Sequence, residues 1–353
     1  MHLRILPLPL VGLAMLAGVF GGMVRLGWGL PLAVPAAHHG LLMSGGFLGT
    51  LITLERTVVL PSRWWRLFPL LSAMGTVLLL VGELRPALIA MMVANLGLIA
   101  AYAGQMRHHR EAHWYLFAAG ALCWLLGNTV LWHGALVPAA TPWWIAFIML
   151  TIVGERLELT RYLPVPRWAK LVLWVVLTSF LAGVLLPFHG AGSKVLGVSA
   201  VAVALWLMRY DMARVGVRKA GFHRYVAAGL LVGYGWLLLH GLLLLLGEAH
   251  PLFYDLYLHS FFLGFAFSMI WAHAPIILPS VLRSPHRPYH PLLWVGWALF
   301  QLTLSARVAF ALQGAVPLRR VFGVANGFTI VLMFAAMAAI MVMRARRSER
   351  SPA

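Results

Sequence analysis

Fifteen histidines, nine acidic residues and one cysteine are the groups in this 353-residue chain from which site chemistry could be built. The single cysteine, Cys123, excludes a disulfide within the chain and any Cys-x-x-Cys metal motif. Carboxylates are nearly absent from the centres of the apolar segments. Glu55, Glu155 and Glu158 stand near Arg56, Arg156 and Arg161, which favours ion pairing at helix ends over a proton relay. Histidine is the informative type, because neutral imidazole is a common ligand for metals and for iron in a macrocycle. His39 and His259 both fall inside apolar segments, about one and two helical turns from the same side. A flat iron macrocycle lying between them could take one axial nitrogen from each.

The elements that must position these side chains are membrane helices. Apolar residues make up 62% of the chain and charged ones 10%, against about 25% charged in an average soluble domain. That excludes a soluble globular protein, a disordered chain and a disulfide scaffold. Apolar segments fall at about 5–27, 35–55, 67–84, 86–106, 113–133, 142–159, 168–188, 193–209, 224–247, 253–277, 291–312 and 320–343, each near the length a bilayer core requires. Pro, Gly and Arg clusters separate them, and no separator is long enough to be a soluble domain. The expectation is one all-α domain over 1–353, a polytopic transmembrane bundle of about twelve helices. With the N-terminus cytoplasmic, all but six of the 27 Lys and Arg (Arg25, Arg85, Lys194, Arg307, Arg319 and Arg320) fall on the inner side. The positive-inside rule therefore puts both termini in the cytoplasm. The net charge of +18 then reflects topology in a lipid membrane rather than nucleic-acid binding. The first apolar stretch, behind Arg4, reads as a span and not as a removed leader.

Seven histidines (His38, His39, His133, His189, His240, His250 and His259) map to the outer side or outer half. His240 is a third candidate metal ligand, and His133 is a spare. His273 lies toward the inner end of its span, where Pro275 is expected to kink or end the helix and His273 to satisfy a freed carbonyl. On an α-helical period, His39, Met43, Gly46 and Thr50 share a face. Gly45, Gly46 and Gly49 suit either a macrocycle close to the backbone or close helix packing. Asp255, one turn before His259, could orient that ring from behind or simply complement a helix N-terminus. Arg307, Arg319 and Arg320 lie on the outer side, and Arg307 needs an anion that its sequence neighbours do not provide. Heme propionates would suit all three. Lipid headgroups are the other reading.

These residues resemble two families. His39-Gly-Leu-Leu-Met43 is similar to the His-Gly-x-x-Met run in the second helix of heme-copper oxidase catalytic subunits, and Pro317-Leu-Arg319-Arg320 to the Pro-Arg-Arg before their twelfth. Where those enzymes carry His-x-His in the tenth helix, this chain reads Tyr257-Leu-His259. The resemblance thus implies that a low-spin heme ligand is kept and the high-spin ligand lost. The sixth segment has no histidine and the seventh none before His189, so a copper-containing oxygen-reducing centre is not supported. A closer resemblance is to NnrS-type membrane heme proteins. Their His-x-x-x-Met-x-x-Gly-Phe is matched by His39, Met43, Gly46 and Phe47, and a later motif by His259, Gly264 and Met269. Leu41 stands where those proteins usually carry a further histidine, which leaves copper possible but unsupported. The resemblance implies a heme b, low-spin between His39 and His259, with Arg319, Arg320 and Arg307 on its propionates. It also implies a bacterial inner membrane and a redox, electron-transfer or nitric-oxide-response role, with a redox partner or respiratory-complex subunit as associate.

Two rival readings remain. A twelve-span secondary transporter of the major facilitator kind would carry a long central loop, whereas only Arg161 to Trp168 separates the sixth and seventh segments. A cofactor-free assembly subunit of a respiratory complex differs from the heme reading only in whether heme is found.

Overall fold

The computed structural model describes residues 5–282 and 288–350. Arg4, Arg283, His286 and Arg287 lie outside the described residues. Among the described residues the chain is helical without strands, as a bilayer demands, since only intra-segment hydrogen bonds satisfy the backbone of each span. The helices are α1 Pro7–Arg25, α2 Ala33–Ala37, α3 His39–Leu41, α4 Thr50–Val58, α5 Leu67–Leu80, α6 Leu84–His108, α7 His113–Gly134, α8 Val137–Leu159, α9 Arg167–Leu185 and α10 Ser193–Tyr210. They continue with the short α11 Ala213–Gly216, then α12 Phe222–Leu246, α13 Phe253–His259, α14 Ser268–Leu282, α15 Leu292–Leu312 and α16 Val316–Arg350. Two π-helical stretches, π1 Leu42–Gly49 and π2 Ser260–Phe267, join α3 to α4 and α13 to α14.

Ten helical runs among the described residues are long and apolar enough to cross a membrane. This is a multi-pass membrane protein. All twelve apolar segments are helical, but two fall short of that measure. α5 has only 14 residues, and the run formed by α3, π1 and α4 carries His39, Glu55 and Arg56 and is less apolar than the ten. Gly21 and Gly27 set the turn after α1. A Cβ on Gly21 would run into the backbone of Pro35, and Gly27 adopts φ +93°, which an L side chain resists.

Two local expectations are corrected. The α-helical face of His39, Met43, Gly46 and Thr50 does not survive, because π1 widens the turn and rotates later side chains away. Thr50 instead hydrogen-bonds Ser72 at 2.7 Å between Oγ1 and Oγ. Pro275 does not end its helix. α14 runs through Pro275 and Pro279 to Leu282, since stopping the ladder inside a membrane would expose more carbonyls than one proline frees.

The glycines of π1 pack helices together. A Cβ at Gly45 would stand 2.8 Å from Met91 Sδ, one at Gly46 2.6 Å from Thr76 Oγ1, and one at Gly49 within the Trp124 indole. Trp124 in turn stacks on Phe147 of α8, with centroids 4.9 Å apart. The close-packing reading therefore holds for all three. The run that begins with α8 is the most enclosed of the ten, with 78% of its central window buried, while α15 is 28% buried. The bundle thus closes around α8 and leaves α15 on its rim.

Candidate functional site

His39 and His259 line one cavity of about 350 Å³, within the range of small-molecule sites. Its walls come from α1, α2–π1, α8, α13–π2, α15 and α16. Most of the lining is apolar, with Val19, Met43, Trp144, Leu258 and Phe262 among its residues.

His39 opens α3 at the point where the chain turns back from α2. Its Nδ1 lies 2.6 Å from the carbonyl oxygen of Gly18 on α1. A carbonyl can only accept, so Nδ1 carries the proton and Nε2 keeps a free lone pair. The ring rests against Gly22, where a Cβ would come 2.8 Å from His39 Cε1. Glycine at 22 is therefore what lets the imidazole lie flat on α1.

His259 is held by charge as well as by backbone. Its Nδ1 lies 2.8 Å from the Asp255 carbonyl oxygen and 3.0 Å from Asp255 Oδ1. Both are acceptors, so Nδ1 again donates and Nε2 is free. Arg307 Nη2 also stands 3.1 Å from this nitrogen. Two donors cannot bond each other, and Asp255 Oδ1 serves both, 2.7 Å from Arg307 Nη2. Asp255 Oδ2 accepts from Arg319 Nη1 at 2.9 Å. The anion that Arg307 requires is therefore Asp255, supplied by folding from a distant segment. The carboxylate orients the ring from behind, as the first of its two readings anticipated.

The cavity's other groups leave it electropositive. Arg25 joins Arg307 and Arg319 in the lining, and Asp255 is the single carboxylate there. Arg307 Nε and Arg319 Nε are buried without a partner, so each guanidinium retains unused donor capacity. Asn326 of α16 also lines the cavity, donating to Phe300 O at 3.1 Å and Thr303 Oγ1 at 2.9 Å. Arg320 lies apart on the exposed side of α16, over Gly27.

His240 also lies elsewhere. It is fully buried, with Nδ1 2.9 Å from Tyr257 O and Nε2 without a partner. It faces a separate space of about 10 Å³ between Phe180, Phe188, Leu196 and Leu244. His133 is exposed at the end of α7. Of the seven histidines on this side, the cavity gathers His39 and His259. Among the described residues no group of three or more His, Cys, Asp or Glu converges as a metal site.

The donor set fits a flat iron macrocycle: two imidazoles with free Nε2, apolar walls, and guanidinium groups with unused N–H at one edge. A family model described as a domain of unknown function, DUF8744, matches residues 4–343. The chain belongs to that family. The DUF8744 match runs through both cavity histidines and through Arg307 and Arg319. No curated protein and no solved structure matches the chain.

At the far end of the bundle, Arg56 pairs with Glu155 across α4 and α8. Arg156 Nη2 meets His273 Nε2 at 2.9 Å, and His273 Nδ1 bonds Met269 O at 2.7 Å. Glu155 is therefore an ion-pairing residue, and His273 both bonds a carbonyl of its own helix and joins α14 to α8.

Sequence reasoning missed Gly22, Asn326 and the Asp255–arginine pairs. Asp255 and Asn326 carried a usable signal, being polar residues in strongly apolar segments. Gly22 carried none, because its role depends on which helix faces His39.

Proposed function

We propose that this chain is a heme-binding protein of a bacterial cytoplasmic membrane, with twelve spans and both termini inside. His39 and His259 would hold its cofactor, a low-spin heme b. One observation carries the reading. Two histidines from segments far apart in the sequence line one cavity, each with Nδ1 committed to a carbonyl and Nε2 free. Tying one ring nitrogen to an acceptor fixes the tautomer and makes the other nitrogen a better ligand. Arg307 and Arg319 keep N–H groups for an anionic edge such as the propionates. Arg320, exposed over Gly27, does not line the cavity.

When bound, such a heme supplies reversible one-electron transfer. With an imidazole from each of His39 and His259 holding it, such a heme would suit electron transfer or sensing rather than oxygen reduction. The resemblance to NnrS-type proteins extends this to a nitric-oxide-response role, with a respiratory redox partner. Copper has no ligand set in this reading.

The test is a reduced-minus-oxidised absorption spectrum of purified protein, with iron and copper assayed on the same sample. Sharp b-type bands and about one iron per chain support the reading. A featureless spectrum without metal, from cells supplied with heme, leaves a transporter or a cofactor-free assembly subunit in its place.

A further inference from the structure

A second cavity, of about 260 Å³, lies at the opposite end of the bundle between α4, α6, α7 and α14. Its polar lining is Glu55, Arg56, Tyr102 and Gln105, and its aromatic wall is Trp114. The separation of Glu55 from His39 along the chain, more than about 20 Å of helix, makes it independent of the histidine cavity.

Three features define what it can hold. The Tyr102 side chain is 1% exposed, and its hydroxyl has no hydrogen-bond partner. A buried hydroxyl without a partner calls for an acceptor in the space it borders. Among the described residues Glu55 makes no hydrogen bond, and Arg56 beside it pairs with Glu155 while its Nε stays buried without a partner. The Glu55 carboxyl oxygens therefore call for a donor in the space they border. The Tyr102 and Trp114 rings stand 6.3 Å apart, and Tyr102 stacks on Phe117, which gives the wall flat aromatic faces. Val59 and Ile276, also in the lining, are 70% and 46% exposed. They open the cavity sideways, toward lipid.

A phosphate- or carboxylate-headed lipid offers acceptors to Arg56 Nε and Tyr102 but no donor to Glu55. A simple ammonium head satisfies Glu55 but offers Tyr102 no acceptor. A neutral hydroxylated ring satisfies both, donating O–H to Glu55 and accepting from Tyr102, with its plane against Trp114 and its tail in the bilayer. We infer that this cavity is a binding site for a hydroquinone-type amphiphile, a dihydroxylated aromatic ring on an apolar chain. The inference concerns binding alone and does not rest on the heme reading.

The test is calorimetric titration of the full chain, in phosphatidylcholine nanodiscs, with a decyl-substituted dimethoxy-methyl hydroquinone. Saturable binding is expected, weakened about tenfold by Glu55→Gln and by Tyr102→Phe. His133→Ala, at the other end, leaves it unchanged. The same probe with both hydroxyls methylated binds at least about tenfold more weakly. If Glu55→Gln lowers the yield of folded protein, Tyr102→Phe, which removes one oxygen, carries the test. Absence of saturable binding overturns the inference. So does equal affinity in both variants, or equal affinity for the methylated probe. Because heat is measured, iron-free protein gives the same answer, and failure here is distinct from failure of the heme reading.

Discussion

His39 and His259 present the same free nitrogen to the same cavity, but they are held by opposite means. His39 leans on a neutral partner, the Gly18 carbonyl of a neighbouring helix, and on the absence of a side chain at Gly22. His259 leans on its own helix and on a carboxylate that two arginines share. The first ring is positioned by packing, the second by charge. Each lies just ahead of a π-helical stretch, His259 directly before π2 and His39 one short turn before π1, a geometry frequent at functional sites. The difference implies that the two halves of the site fail differently, sterically on one side and electrostatically on the other.

The largest effect tests whether they form one site at all. In the proposed heme site, His39→Ala and His259→Ala each abolish the low-spin spectrum, since either loss leaves iron with a single protein ligand. Iron content and absorption of the purified variants check this. A variant that keeps the wild-type spectrum removes that histidine as a ligand.

Asp255→Asn separates charge from geometry on the His259 side. The backbone acceptor for Nδ1 remains, so the ring stays oriented and the spectrum persists. Arg307 and Arg319, 7% and 11% exposed, lose their anion. Breaking a fully buried pair costs about 3–5 kcal/mol. Asp255 keeps 20% exposure, so about 1–3 kcal/mol is expected, read as a lower melting temperature. The midpoint potential of bound heme should also rise, because a less basic imidazole stabilises ferric iron less. An unchanged melt would show that the arginines find other anions.

Gly22→Ala is the steric counterpart. The added methyl meets the far end of the His39 side chain and no backbone, so the ring swings aside at little cost to folding but leaves its place as ligand. Heme content should drop while the melt of the apoprotein moves little. Gly12→Ala, with nothing within 4 Å of the new methyl, should leave heme content as in the wild type. Equal behaviour of the two variants would mean that His39 is not seated against α1 in solution.

How much of this could be read beforehand follows the same division. Apolar length and charge alternation located all twelve helical segments, and position within them picked out His39 and His259. Depth along a helix is encoded locally. What faces what is not. Arg307 seemed to lack an anion because Asp255 lies in another segment, and Gly45, Gly46 and Gly49 suited a macrocycle until Met91, Thr76 and Trp124 were seen to fill the space. The π turns escaped for a related reason, since an apolar segment reads alike in α and π periods, and only packing against α1 and α12 selects between them. His240 shows the limit from the other side. It shares the type and depth of a ligand, yet faces a space between aromatic rings.

The smallest effect lies outside the membrane segments, at Glu248 in the loop between α12 and α13. Its carboxylate accepts from Gly190 N at 3.1 Å and from Ser193 Oγ at 3.3 Å, and it pairs with Lys194 Nζ at 3.5 Å. His189 Nδ1 stands 3.3 Å away. It thereby ties the loop before α10, where Gly190 sits at φ +114°, to the end of α12. Partial burial pushes its pKa up, but the hydrogen bond from His189 and the charge of Lys194 outweigh this and hold it below its ordinary 4.5. A carboxyl lowered on folding stabilises the folded state above its unfolded pKa, and that contribution is lost as pH falls through the folded value. The melting temperatures of wild type and Glu248→Gln should therefore differ by a constant amount above about pH 5 and converge below pH 4.5. The heme spectrum should be the same in both throughout, because this charge holds a loop and neither of the two rings. A spectrum that changed with Glu248 would mean that the loop and the His259 segment move together, and the division between packed and charged halves would need redrawing.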